Sequence, residues 1–195
     1  DDFPNDLDPL HLVILFEREE SFTSSEELPL FGINDSVFLQ NKDCPGLMTK
    51  KEVRVQLLSE LNLPKKGVIW DIGSGVGSIG LEALRISPRL KLVSIDKRIG
   101  SKNIIEENSK RLGVKPSLII EDEALNVLTK NKLRHDLLYP DRVIIGGGGS
   151  SSHLIIEEVL KQINSKCILV IPLISLKAIS KLECILKPKV NKLSI

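Results

Sequence analysis

From residue 67 onward the chain alternates short apolar runs with amphipathic stretches, and this alternation restricts the fold more than any other feature of the sequence. The apolar runs are GVIWDI (67–72), LKLVSID (90–96), PSLIIED (116–122), DRVIIGG (141–147) and KCILVIPLI (166–174). Continuous apolar runs of this kind belong to strands covered on both faces. Each run is followed by residues with helical spacing, over 78–86, 101–114, 123–133, 152–163 and 175–186. Strand–helix units in strict order predict an α/β fold of Rossmann-like type, a mostly parallel sheet with right-handed crossovers and helices on both faces. Such sheets hold ligands outside the carboxyl ends of their strands, which directs attention to residues 71–77, 96, 121–124 and 146–150.

Before the first of these strands, TKKEVRVQLLSELNL (49–63) places Val53, Leu57, Leu58 and Leu61 at helical spacing. Thr49 and Glu52 have the spacing of a capping box, and Pro64 and Gly67 close the helix. The first forty-odd residues differ from the rest. PLHLVILFE (9–17) is predicted to be a strand, and LPLFGINDSVF (28–38) is rich in turn residues. One strand and a linker cannot build a core. Residues 1–42 are therefore expected to be an arm on the main domain or the tail of an upstream one, with 43–195 as the domain proper.

Composition narrows the function classes. The 195 residues carry a net charge of +1, with 42% hydrophobic and 27% charged residues. That is an ordinary globular balance, with no broad field for nucleic acid or a membrane surface. No apolar run approaches the roughly 20 residues of a spanning helix. The opening DDFPNDLDPL lacks the basic and apolar regions of a signal peptide. Cys44, Cys167 and Cys184 are scattered, as are His11, His135 and His153. Reduced thiols in a cytoplasmic protein, and no metal site, are the expectation. The first residue is Asp rather than Met, as in an excerpt or a processed product.

The loop DIGSGVGSIG (71–80) admits two alignments. Gly75, Gly77 and Gly80 satisfy G-x-G-x-x-G, the dinucleotide fingerprint. Asp71, Gly73, Gly75 and Gly77 satisfy D-x-G-x-G-x-G, the signature of S-adenosyl-L-methionine (SAM) enzymes. A carboxylate ~4 Å from a phosphate charge costs on the order of 4 kcal/mol at an effective dielectric of ~20. The helix dipole returns only about 0.3–2 kcal/mol. Asp71 at the lip of the turn would thus oppose a pyrophosphate and suit the ammonium and sulfonium of SAM. A tight turn with a capping aspartate and no ligand is the bland alternative. On the SAM reading Asp71, Gly73, Ser74, Gly75, Gly77 and Ser78 face the cofactor. Asp96 and Lys97 follow at the end of the second strand, where a carboxylate can take both ribose hydroxyls. Glu123 and Ala124 stand at the end of the third, beside the adenine. A helix-start acid is the bland alternative for Asp96 and for Glu123.

Four segments together resemble one family. PGLMTKKEVR (45–54), WDIGSGVGSIGLEAL (70–84), EDEAL (121–125) and RVIIGGGGSS (142–151) are similar to the cobalamin-biosynthesis enzymes that methylate C15 of a precorrin and decarboxylate it. The resemblance covers about residues 43–180. It implies a class I SAM-dependent methyltransferase fold, SAM as cofactor, a precorrin tetrapyrrole as substrate and a homo-oligomer. It also implies that Thr49, Lys50, Arg54, Gly146, Gly147 and Gly148 meet the substrate, with no residue assigned to acid–base catalysis. DPLHLVILFERE and LPLFGINDSVF resemble the junction to an upstream C5-methylase domain in the same full-length chain. PLISLK (172–177) departs from the family's N-A-V-T-L-E, and the sequence stops at Ile195, about where a sixth strand would begin. Another small-molecule SAM methyltransferase, a nicotinamide-dependent dehydrogenase and a degenerate binding module without turnover remain as alternatives.

Overall fold

The computed structural model describes residues 24–40, 48–130, 133–146, 152–173, 176–190 and 192–194. The strand expected at 9–17, Cys44, Gly147 and Gly148 lie outside the described residues.

The predicted alternation is present. In chain order the elements are α1 (Lys51–Glu60), β1 (Gly67–Ile72), α2 (Ser78–Ile86), β2 (Leu90–Asp96), α3 (Ser101–Arg111) and β3 (Leu118–Glu121). They continue with α4 (Ala124–Thr129), β4 (Arg142–Ile145), α5 (Ser152–Gln162), β5 (Ile168–Val170) and α6 (Leu176–Leu186). The sheet runs β3-β2-β1-β4-β5, and every pairing is parallel. Trp70 pairs with Val93 on one side and Val143 on the other, so β1 sits at the centre.

Side chains alternate across the sheet, and both faces are covered. Ile69, Leu92 and Ile144 pack with Leu57, Leu58, Ile79, Leu81 and Ile105 under α1, α2 and α3. Trp70, Ile72, Val93 and Val143 pack on the other face with Val127, Ile156, Val159 and Leu182 from α4, α5 and α6. The Trp70 indole is fully buried and donates its N–H to the Leu137 carbonyl at 2.9 Å, which satisfies its one polar atom.

Two local expectations are corrected. Thr49 does not cap α1: the helix begins at Lys51 after Lys50, with no side-chain cap, and Arg54 Nη1 takes the Thr49 carbonyl at 2.8 Å. Val53 stands on the solvent side of α1, 46% exposed, while Leu57, Leu58 and Leu61 are buried.

Residues 24–40 contain no strand, only a 3-10 turn at Asp35–Val37, yet Leu28, Ile33 and Phe38 are buried in the core beneath α1, α2 and α3. An irregular backbone cannot satisfy its own polar groups, so side chains from the helices do it. Arg85 donates to the carbonyls of Ser25 and Leu28 at 3.1 and 3.0 Å, and Arg111 to that of Val37 at 3.0 Å. Glu82 accepts the amides of Gly32 and Ile33.

Candidate functional site

The chain lays down β2 and β3 on one side of β1, then β4 and β5 on the other. The crevice where that order reverses, at the carboxyl ends of β1 and β4, is where such sheets bind ligands. Two glycines meet there. Gly146 N donates to Ile72 O at 2.7 Å, and a Cβ on Gly73 would collide with the Gly146 carbonyl oxygen. Only bare backbone fits at this crossing.

Gly73, Gly75 and Gly77 have φ of +74°, +62° and +81°. Residues with a Cβ rarely adopt this left-handed region. The glycines thus serve the backbone path before they serve any ligand. Their amides also turn inward. Gly73 N and Ser74 N donate to Ile95 O at 2.8 and 3.1 Å, and Gly77 N to Ser74 O at 2.8 Å. Gly75 N donates to Asp96 Oδ2 at 2.7 Å, and Gly80 N to Asp71 Oδ2 at 3.1 Å. These bonds fix the path of the loop; an anion at the helix N-terminus would use the first amides of α2 instead, so they do not decide between the two cofactors.

Asp71 is not at the lip of the turn. It is 1% exposed and lies beneath the loop, tied to the first turn of α2. A Cβ on Gly80 would stand 2.8 Å from its Oδ2, so Gly80 makes room for the carboxylate. Burial pushes the Asp71 carboxyl up to about 7, with Asp96 adding to the shift and the Gly80 amide opposing it. Its charge therefore does not choose between a sulfonium and a diphosphate.

Asp96 ends β2 at the crevice. Arg98 binds both its oxygens, Nε to Oδ1 at 2.8 Å and Nη2 to Oδ2 at 2.6 Å. Burial raises the Asp96 carboxyl, but the Arg98 guanidinium and the amides of Arg98 and Gly75 outweigh it and hold the group below the usual carboxylate range. Asp96 is thus an ionised acceptor whose partner has a side chain 37% exposed. In the loop, Ser74 Oγ is buried with no hydrogen-bond partner among the described residues. A buried hydroxyl left unpaired costs about 1–3 kcal/mol, and a polar ligand at the loop would recover that.

The remaining expected residues are distributed unevenly. Lys97 Nζ and Glu123 Oε1 pair with each other at 3.2 Å on the surface beside the crevice. Ala124 is turned into the core and Ser78 is buried in α2. Asp122 Oδ1, rather than Glu123, accepts the amide at the start of α4, at 2.8 Å from Glu123 N. Lys50 reaches Asp35 at 3.5 Å. Thr49 is half-buried, and its described bond is to Arg54. Arg54 is corrected outright: it is fully buried, with Nε on Glu82 Oε2 at 2.5 Å, Nη1 on Asp35 Oδ1 at 3.1 Å and Nη2 on the Ile33 carbonyl. All three of its nitrogens donate to protein, in four hydrogen bonds, and Phe38 lies against its guanidinium with the ring centroid 4.8 Å away. It clamps the arm and offers nothing to a substrate carboxylate.

Sequence reasoning missed Arg98, Glu82 and Asn108. A signal existed for the last two. Asn108 falls on the stripe Ile105–Asn108–Leu112 of α3, and Glu82 on Ile79–Glu82–Ile86 of α2, both at the spacing of a buried face. A polar side chain on such a stripe must have a built partner. Arg98 carried no comparable mark.

Comparison with known proteins gives a consistent picture. Residues 41–189 match the family described as precorrin methyltransferase domain. The "Probable cobalt-precorrin-6B C(15)-methyltransferase (decarboxylating)" of Pyrobaculum aerophilum is 33% identical over 150 residues, 76% of this chain and 72% of the relative. The "Precorrin-6Y C(5,15)-methyltransferase [decarboxylating]" of a Sinorhizobium species is 36% identical over 124 residues, which cover 63% of this chain but only 28% of the relative. Among solved structures, the precorrin-6y C5,15-methyltransferase of Geobacter metallireducens superimposes with a TM-score of 0.71 at 29% identity, over 84% of this chain and 82% of that one.

Proposed function

The chain belongs to the precorrin methyltransferase family, and from that membership we propose that it methylates C15 of a precorrin with SAM and removes the C12 acetate carboxyl as carbon dioxide. The observation that carries this reading is the family match over residues 41–189, which spans every strand end at the crevice.

When bound, SAM supplies a methyl group already activated on sulfur, for transfer to an electron-rich ring carbon. The residues present fit it. Asp96, held ionised, offers its oxygens to the ribose hydroxyls once Arg98 withdraws. Ser74 Oγ offers an unpaired hydroxyl at the loop. Gly73 and Gly146 leave the crevice without side chains where a flat macrocycle has to come close. Lys50, 65% exposed at the start of α1, is a cation for the acetate and propionate groups of such a ring. Positioning, rather than an acid–base pair, is what these residues provide. In the full-length protein a C5-methylase domain precedes this one, a reading supported by the small share of the Sinorhizobium relative that the chain covers.

Calorimetry of the chain with SAM, S-adenosylhomocysteine (SAH) and NAD tests the cofactor. Heat with the first two and none with NAD is expected, and binding of NAD alone would overturn it. Incubation with SAM and a precorrin, followed by mass spectrometry, tests the reaction. A product that gains a methyl and loses carbon dioxide is expected. A product that is methylated but retains its acetate would remove the decarboxylation.

A further inference from the structure

We infer that Asn108 is a positioning residue of the cofactor loop and that, through it, the arm at residues 24–40 forms part of the cofactor site; this rests on the SAM reading above. Asn108 is fully buried and joins three segments. Its Oδ1 accepts Leu39 N at 2.7 Å, and its Nδ2 donates to Leu39 O at 3.1 Å and to Val76 O at 3.0 Å. Leu39 is at the end of the arm, Val76 is in the middle of the glycine loop and Asn108 is in α3.

The bond to Val76 matters because of what flanks it. Gly75 and Gly77, both at positive φ, leave the loop with cheap alternative conformations. The peptide between Val76 and Gly77 is held at its two ends: the carbonyl by Asn108, and the amide by Ser74 O at 2.8 Å. Ile105, one turn earlier on α3, presses the same spot, 3.1 Å from where a Cβ on Gly77 would lie. Asn108 thus fixes one peptide plane in the loop, and its own orientation is fixed by the paired bonds to Leu39. The arm that supplies Leu39 precedes the family match, which begins at residue 41.

The test is SAH titration of the full chain by calorimetry, with Lys110→Ala as the comparison. Lys110 lies on the same helix but pairs with Glu107 at 2.6 Å on its exposed side. Asn108→Ala is expected to weaken SAH about tenfold, the equivalent of one lost hydrogen bond to a buried group. It should raise KM for SAM by a similar factor with kcat little changed, while Lys110→Ala leaves SAH affinity at the wild-type value. Wild-type affinity in Asn108→Ala, or equal weakening in Lys110→Ala, overturns the inference. A second measurement uses the wild type alone. SAH must slow hydrogen exchange at the Leu39 amide, since coupling between the two is reciprocal; an unchanged rate also overturns it. If the wild type binds no SAH, the cofactor reading fails first and takes this inference with it.

Discussion

Arg54 Nε meets Glu82 Oε2 at 2.5 Å, and neither side chain has any exposure to solvent. The pair joins α1 to α2, and each partner also holds the arm, Arg54 through the Ile33 carbonyl and Glu82 through the Gly32 and Ile33 amides. Removing Glu82 leaves Arg54 a second carboxylate, Asp35 at 3.1 Å, but removing Arg54 strands the buried Glu82 carboxylate, which costs about 3–5 kcal/mol. Arg54→Ala should lower the free energy of unfolding by that amount in urea titrations, and Glu82→Ala by less. The double variant should lose less than the sum of the two, because the second change removes the stranded charge. If Arg54→Ala is as stable as the wild type but has a raised KM for precorrin, the guanidinium binds substrate after all.

That pair also marks where the sequence was legible and where it was not. The bounds of α2 (Ser78–Ile86) and β2 (Leu90–Asp96) coincide with those read from periodicity, because a near-continuous apolar strand and a helical stripe are set by local pattern. The order of strand ends placed Asp96, Gly73 and Gly146 at one crevice for the same reason. Arg54 and Asp71 were misplaced because a charged residue is expected at the surface unless a partner is known. Their partners, Glu82 at 28 residues' separation and Gly80 within the next helix, depend on tertiary packing that no local pattern encodes. The arm was opaque likewise: its polar composition reads as a linker until side chains from three helices are seen to satisfy its backbone.

Asp71 makes stability depend on pH. Its carboxyl sits near 7 in the fold, against an ordinary value of 3.8. Between those values the folded chain holds a proton that the unfolded chain has already released. The folded state binds more protons there, so stability falls as pH rises through the window and levels off above about 7. Asp71→Asn keeps an oxygen for Gly80 N and removes the titration. Denaturation midpoints measured from pH 5 to pH 8 should fall less steeply in the variant than in the wild type. Parallel slopes in the two proteins would exclude Asp71 as the source.

Gly73→Ala combines a φ of +74° with a direct collision against the Gly146 carbonyl. Strain of this kind is worth about 1–3 kcal/mol, before any cost of separating the ends of β1 and β4. The variant should unfold earlier and lose SAH binding together. Gly100→Ala is the control: φ is +84° there too, but a Cβ would have nothing within 4 Å. It should show a smaller stability loss and normal SAH affinity. A Gly73→Ala protein that binds SAH normally would place the cofactor away from this crossing.

Asp96 and Arg98 should respond in opposite directions. Asp96→Ala removes both the proposed ribose acceptor and the anchor for Gly75 N, so SAH affinity should fall by about 10- to 100-fold, the range for a charge-assisted bond to a buried group. Arg98→Ala removes the cation that must be displaced from the same oxygens. A partly exposed pair of this kind is worth about 0–1 kcal/mol, so its loss should tighten SAH by no more than about fivefold. The double variant discriminates further: without Asp96 there is no latch to release, so Arg98→Ala should then have no effect on affinity. Calorimetry of the four proteins measures both terms. If Arg98→Ala weakens SAH, and does so whether or not Asp96 is present, the guanidinium touches the cofactor directly and is not a latch on the carboxylate.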